Sequence, residues 1–194
     1  MVLASSETNV IPSHNCPCCD SEAMNITRTE YNADHFGFVL LSVTICQKCG
    51  YKHADVSSLE SRDPILVSAR ISSIIDLEIK VIKSGTATIK IPEFGATITP
   101  GPYGEGFITN VEGVLKKVED ALTFMLSSAD EKNLKKGEKI LKEIKLSRES
   151  KPHFTIIIED PLGNSDLVSP NPSKIEKHKL TKREIQTEVR SIRS

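Results

Sequence analysis

Alternation of apolar and polar positions is the clearest pattern along this chain. In "DLEIKVIK" it places Leu77, Ile79 and Val81 on one face, and in "ATIKI" it places Ala87, Ile89 and Ile91 on one face. A period of two is that of a half-buried strand. The intervening "SGT" at 84–86 is turn-like, so the pair predicts a β-hairpin whose second strand Pro92 ends. "FVLLSVTI" at 38–45 and "HFTIIIED" at 153–160 are two further β-prone runs. From Thr109 the period lengthens to that of a helix. Val111, Val114, Leu115, Val118, Leu122 and Met125 form one stripe, and Thr109 with Glu112 makes a capping box at its start. A second box, Ser128 with Glu131, opens a helix striped by Leu134, Ile140, Leu141 and Ile144. The two predict a helical hairpin over about 109–147, inserted within a β-domain, because the strand at 153–160 needs earlier strands as partners. The segment "GATITPGPYGEG" is a Gly- and Pro-rich loop without the Lys-Ser/Thr of a phosphate-binding loop.

Composition narrows the class. The chain has 194 residues, of which 38% are apolar and only 5% aromatic, with no Trp, so an aliphatic core in one large or two small domains is expected. No window approaches the roughly 20 apolar residues of a membrane span, and the start has no leader pattern. A soluble, cytoplasmic protein follows as the expectation, and reducing conditions favour metal-bound thiolates over disulfides. The formal net charge is -1, which gives no general polyanion-binding signature. Its distribution is uneven. Residues 1–56 hold six acids against three bases, and residues 174–194 hold seven bases against three acids. The end after Pro172 reads as a surface helix (Ile175, Leu180, Ile185, Val189) or as a partly disordered basic tail.

All five cysteines fall within "NCPCCDSEAMNITRTEYNADHFGFVLLSVTICQKCGYK". Cys16 with Cys19 and Cys46 with Cys49 are two Cys-x-x-Cys knuckles, and tight turns of this kind aim paired sulfurs and backbone N–H groups at one ion. Four thiolates close the coordination shell, which points to a structural zinc ribbon; iron in the same cage or a redox dithiol are the alternatives. The long spacing between knuckles calls for a long hairpin, and Gly50 follows the second knuckle where positive φ is needed. Cys18 is expected to be a bystander, and His14 and His53 ordinary surface groups. The five histidines are scattered, without the clusters a catalytic metal requires.

Four stretches, in order, resemble the ZPR-type zinc-finger family: "CPCC" with "TICQKCGYK", "VIKSGTATIKIPEFG", "GFITNVEGVL" and "FTIIIEDPLGNS". Gly85 stands where an acidic residue is the family's pattern, and Cys18 occupies a variable position. The resemblance implies a four-cysteine zinc ribbon followed by a β-domain like a double-stranded β-helix carrying a helical hairpin. The chain is then mainly β, with a ribbon at 1–60, a β-domain at 61–172 and a basic tail at 173–194. One copy of this module pair is similar to the archaeal members; eukaryotic members carry two. The resemblance further implies one Zn2+ held by Cys16, Cys19, Cys46 and Cys49, and translation elongation factor 1-alpha as a protein partner whose folding the family assists.

A non-enzymatic protein-binding module is therefore the first functional reading. The alternative is a nucleic-acid-binding zinc ribbon acting in transcription or translation, which the acidic finger disfavours and only the basic tail supports. Phe36, Phe38, Tyr51 and Lys52 form a candidate contact set, aromatic residues being frequent in binding hot spots; packing inside the small ribbon is the competing role for Phe36 and Phe38. Asp160, Pro161, Gly163, Asn164 and Ser165 form a family-motif turn, in which Asp160 and Asn164 are expected to bond their own backbone rather than act in catalysis. No enzymatic turnover, small-molecule substrate or membrane contact is expected.

Overall fold

The structure, a computed structural model, describes residues 6–7, 15–33, 37–58, 62–100 and 105–181. Its strands are β1 (Ser6–Glu7), β2 (Met24–Ala33), β3 (Gly37–Cys46), β4 (Lys52–Ser58), β5 (Ile65–Ile71), β6 (Lys80–Lys83), β7 (Thr88–Ile91), β8 (Ala96–Ile98), β9 (Phe107–Asn110), β10 (Phe154–Asp160), β11 (Asp166–Val168) and β12 (Ile175–Lys179). Helices α1 (Val111–Leu126) and α2 (Glu131–Glu149) lie between β9 and β10. The expected mainly β architecture with a helical hairpin is present. No helix among the described residues is long and apolar enough to cross a membrane.

Three antiparallel sheets result. The first runs β1-β2-β3-β4, the second β12-β5-β10-β7-β8 and the third β11-β6-β9. In the first, β2 and β3 each span ten residues and pair from Met24 opposite Cys46 to Ala33 opposite Gly37, which takes up the long spacing between knuckles. The second and third sheets enclose the main core, in which Val67, Ile71, Ile89, Ile156 and Ile158 meet Val81 and Leu167. Period-two alternation accounts for this: along β10, Phe154, Ile156, Ile158 and Asp160 are buried while the residues between them are partly exposed. The third sheet is buried on its other face too. Ile82 packs there with Val39 and Val56 of the first sheet, joined by Tyr31, Leu41, Ile108 and Val168.

That second core binds the cysteine-bearing sheet to the rest. Gly106 N–H donates to Ala54 O at 2.8 Å, and a Cβ on Gly106 would lie 2.5 Å from Val56 N and 3.0 Å from Lys83 O. Only glycine lets the two backbones approach so closely.

The expected hairpin at 77–91 is not formed. Leu77 lies in a 3-10 helix, Ile74–Glu78, and β6 and β7 belong to different sheets. The turn at 84–86 instead carries the chain from one sheet to the other, held by side chains from elsewhere in the fold. The helix starts also move. Asn110 caps α1, its Oδ1 accepting from Gly113 N–H at 2.8 Å, because Thr109 is held in β9 opposite Val81. Asp130 caps α2 by accepting from Asn133 N–H at 2.8 Å, in place of Ser128. Asparagine and aspartate are strong N-caps. The hairpin rests on the core through Val111, Val114, Leu115 and Ile144, whereas Met125, at the far end of its expected apolar stripe, is exposed.

The tail departs from both expected states over 175–179. These residues form β12, paired with β5 from Ile175 opposite Ala69 to Lys179 opposite Ile65. Its lysines find acids on the β-domain: Lys174 meets Asp76, Lys177 meets Asp166 and Lys179 meets Asp63. Residues 182–194, with Ile185 and Val189, lie outside the described residues.

Asp76 reports on this attachment. Burial alone would raise its carboxyl, but the N–H groups of Ser72 and Ser73 and the Lys174 ammonium hold it down at about 2, against an ordinary 3.8. A depressed folded value adds stability above the unfolded pKa and loses it as pH falls through the folded one, here about 2 kcal/mol. Asp76→Asn is therefore expected to cost about 2 kcal/mol at pH 6, shrinking toward zero as pH falls from 4 to 2. Urea unfolding across that range checks this, and a penalty independent of pH contradicts it.

Candidate metal centre

The two knuckles are built alike despite different sequences. Cys16 N–H donates to Ser21 O at 2.9 Å and Cys46 N–H to Tyr51 O at 2.8 Å. Asp20 N–H donates to Cys16 O at 2.8 Å and Gly50 N–H to Cys46 O at 2.9 Å. Each turn thus needs a left-handed residue after its second cysteine. Gly50 supplies it at φ 75, as expected, and Asp20 at φ 54, with Asn15 Nδ2 donating to its Oδ1 at 2.8 Å. Aspartate is one of the few residues that visit this region. Gln47 N–H donates to Ala23 O at 2.8 Å and links the knuckles.

This geometry gathers Cys16, Cys19, Cys46 and Cys49, whose sulfurs all lie within 4.8 Å of one another. Cys16 Sγ is 3.6 Å from Cys49 Sγ, and Cys19 Sγ is 3.7 Å from Cys46 Sγ. A zinc tetrahedron with Zn–S of about 2.3 Å has sulfur–sulfur edges of about 3.8 Å, whereas a disulfide needs about 2.05 Å. The donor set fits zinc. Peptide N–H groups of Cys49 and Lys48 pull the Cys46 thiol down to about 6. Cys49 is pushed up to about 12: the Tyr51 N–H favours its thiolate, but burial and the neighbouring sulfurs outweigh it. A divalent cation relieves that crowding of charge. What it supplies is a cross-link between the two turns and the ends of β2 and β3.

Cys18 is exposed and outside the cluster. His53 lies on β4 opposite Thr44, also outside it, and His14 and Phe36 lie outside the described residues. Of the remaining candidate contacts, Phe38 is 51% exposed and Lys52 is exposed. Tyr51 is half-buried and packs on the cluster of Cys16, Met24 and Cys46.

The motif turn at 160–165 is more than a turn. Asp160 Oδ1 accepts from Leu162 N–H at 3.0 Å, the local bond expected of it, and also from Thr86 Oγ1 at 2.8 Å. Its Oδ2 accepts from Ser84 Oγ at 2.8 Å and Ser165 Oγ at 2.6 Å, while Ser165 Oγ accepts from Ser84 N–H at 2.9 Å. Asp160 and Ser165 are fully buried. Gly163, at φ 68, passes so close to Asp63 O that a Cβ would lie 2.3 Å away; Pro161 and Asn164 complete the turn partly exposed. Beside this network Asp55 Oδ1, from β4, accepts from Gly85 N–H at 3.2 Å. The hub therefore fastens the corner at 84–86 to β10, next to the junction with the cysteine-bearing sheet. Sequence reasoning missed this, although the alternation of β10 extends to Asp160 and that of Ile79 and Val81 extends to Lys83.

Cys46→Ser is expected to abolish stoichiometric zinc and unfold the ribbon, small metal domains drawing folding free energy from the ion, whereas Cys18→Ser keeps one zinc per chain. Metal analysis with circular dichroism checks both. Full zinc retention in Cys46→Ser contradicts the four-thiolate assignment.

Residues 75–191 match the family model described as the ZPR1 jelly-roll domain. A ZPR1-like protein of Methanocaldococcus jannaschii is 38% identical over 173 residues, covering 88% of this chain and 86% of that protein. A ZPR1-like protein of Pyrococcus horikoshii is 35% identical over 176 residues, covering 88% and 78%. The zinc finger chaperone zpr1 of Schizosaccharomyces pombe is 30% identical over 159 residues, which cover 78% of this chain but 34% of that longer protein. With its four-cysteine centre and the β-domain that follows, this chain is a zinc-binding member of the ZPR1 family, of the kind found in archaea.

Proposed function

We propose that the protein is a non-enzymatic interaction module that binds translation elongation factor 1-alpha in the cytoplasm and assists its folding. The observation that carries the folding-assistance part of this reading is the relationship to a protein described as a zinc finger chaperone; the elongation factor as partner is what the motif resemblance implies. The four sulfurs gather around one another and the Asp160 hub is bonded internally, which supports a scaffold role for both. Exposed apolar side chains remain available for a partner. Phe38 on β3 is 51% exposed, and Phe124, near the end of α1, is 80% exposed. Large aromatic residues carry a disproportionate share of binding energy when buried at an interface.

Phe38→Ala and Phe124→Asp are each expected to weaken binding of the purified elongation factor at least about ten-fold, about 1.4 kcal/mol, without changing the thermal midpoint. Calorimetric titration with the zinc-loaded chain measures this. Absence of binding by the unaltered protein, or recovery of RNA in place of the factor, contradicts the reading.

A further inference from the structure

Helices α1 and α2, strand β8 and the start of β9 line a half-open cavity of about 910 Å³. Its body is apolar, walled by Phe94, Ile98, Val118, Leu122, Met125 and Ile140. Its charged end holds two lysines around one ring: Lys117 Nζ lies 4.8 Å and Lys83 Nζ 5.7 Å from the centroid of Phe107.

Lys83 is the less ordinary of the two. It is 2% exposed, and its hydrogen bonds among the described residues go to two backbone carbonyls, those of Ser84 and Glu105, each at 3.0 Å. An ammonium has three donors, so one is left without a hydrogen-bond acceptor among the described residues. Among the described residues no carboxylate forms an ion pair with Lys83 or with Lys117. Asp160, Asp55 and Glu105 act on Lys83 only through space, and burial outweighs them, pulling its ammonium down. Buried charges are ordinarily paired. Here an unpaired one lines a cavity whose volume falls in the range of small-molecule sites, about 300–1,000 Å³.

We infer that this cavity binds an acyl chain ending in a carboxylate, the chain along the apolar wall and the carboxylate between Lys83 and Lys117. A neutral apolar ligand would bury Lys83 further without a counter-ion. A cation would meet two ammonium groups, with Glu105 as the one acid among the lining residues described. A free phosphate would find few donors on walls that are mostly aliphatic. The inference is independent of the elongation-factor reading, since it concerns a ligand of the β-domain and helical hairpin.

The test is a titration of the zinc-loaded full chain with decanoate and with 1-decanol, followed by amide chemical shifts and the thermal midpoint. Decanoate is expected to shift the resonances of the cavity residues and to bind at least about ten-fold more tightly than decanol. Lys117→Gln, on an exposed position, is expected to remove at least about three-fold of that preference. Ala121→Trp, which fills the cavity from the exposed side of α1, is expected to abolish binding. Equal binding of the two probes, no shift at the cavity with either, an unchanged preference in Lys117→Gln, or decanoate binding that survives Ala121→Trp would overturn the inference.

Discussion

Four thiols brought within 4.8 Å of one another cannot share so small a volume as thiolates without a cation, and much of the first sheet hangs on that fact. Among the described residues the apolar core of the knuckles is Cys16, Met24 and Cys46, with Cys19 and Tyr51 packed alongside. Bound zinc ties the start of β2 to the end of β3 at one point, and the paired register then runs outward from Met24 opposite Cys46. Further along, β3 and β4 present Val39 and Val56 to Ile82. The metal centre and the β-domain are thereby mechanically joined: order at the sulfurs fixes the strands whose far faces close the second core.

The β-domain has its own fixed point in Asp160. A carboxyl that accepts from Ser84, Thr86 and Ser165, and from the Leu162 amide, satisfies a buried corner where the chain changes sheets. A hydrogen bond is worth about 0.5–1.5 kcal/mol net, so four of them together have weight comparable to a core side chain or two. It ends one residue from Lys83 and adjoins Asp55 of β4, which places the corner, the cavity and the cysteine-bearing sheet around a single junction.

Local signals in the sequence were legible where local chemistry decides. Cys-x-x-Cys spacing located the metal centre, Gly50 its positive φ, and the stripe from Val111 to Val118 the first helix. Features that depend on remote partners were not. Ile79 and Val81 against Ala87 and Ile89 read as a hairpin because a period of two says nothing about which strand lies next door; the remote Asp160 and Ser165 decide that. Residues 175–179 pair with β5 because edge positions and acids on the β-domain accept a short lysine-bearing strand, none of which is visible within the tail itself. That Tyr51, a candidate contact residue, packs on the sulfur cluster depends on Cys16 and Met24, remote neighbours that its own segment does not name.

Because the first sheet's order is attributed to a metal held by sulfur alone, the most direct measurement is X-ray absorption at the zinc edge on the purified, zinc-loaded chain. One zinc per chain surrounded by four sulfurs at about 2.3 Å is the predicted result. A shell containing nitrogen or oxygen, or fewer than four sulfurs, would contradict the account.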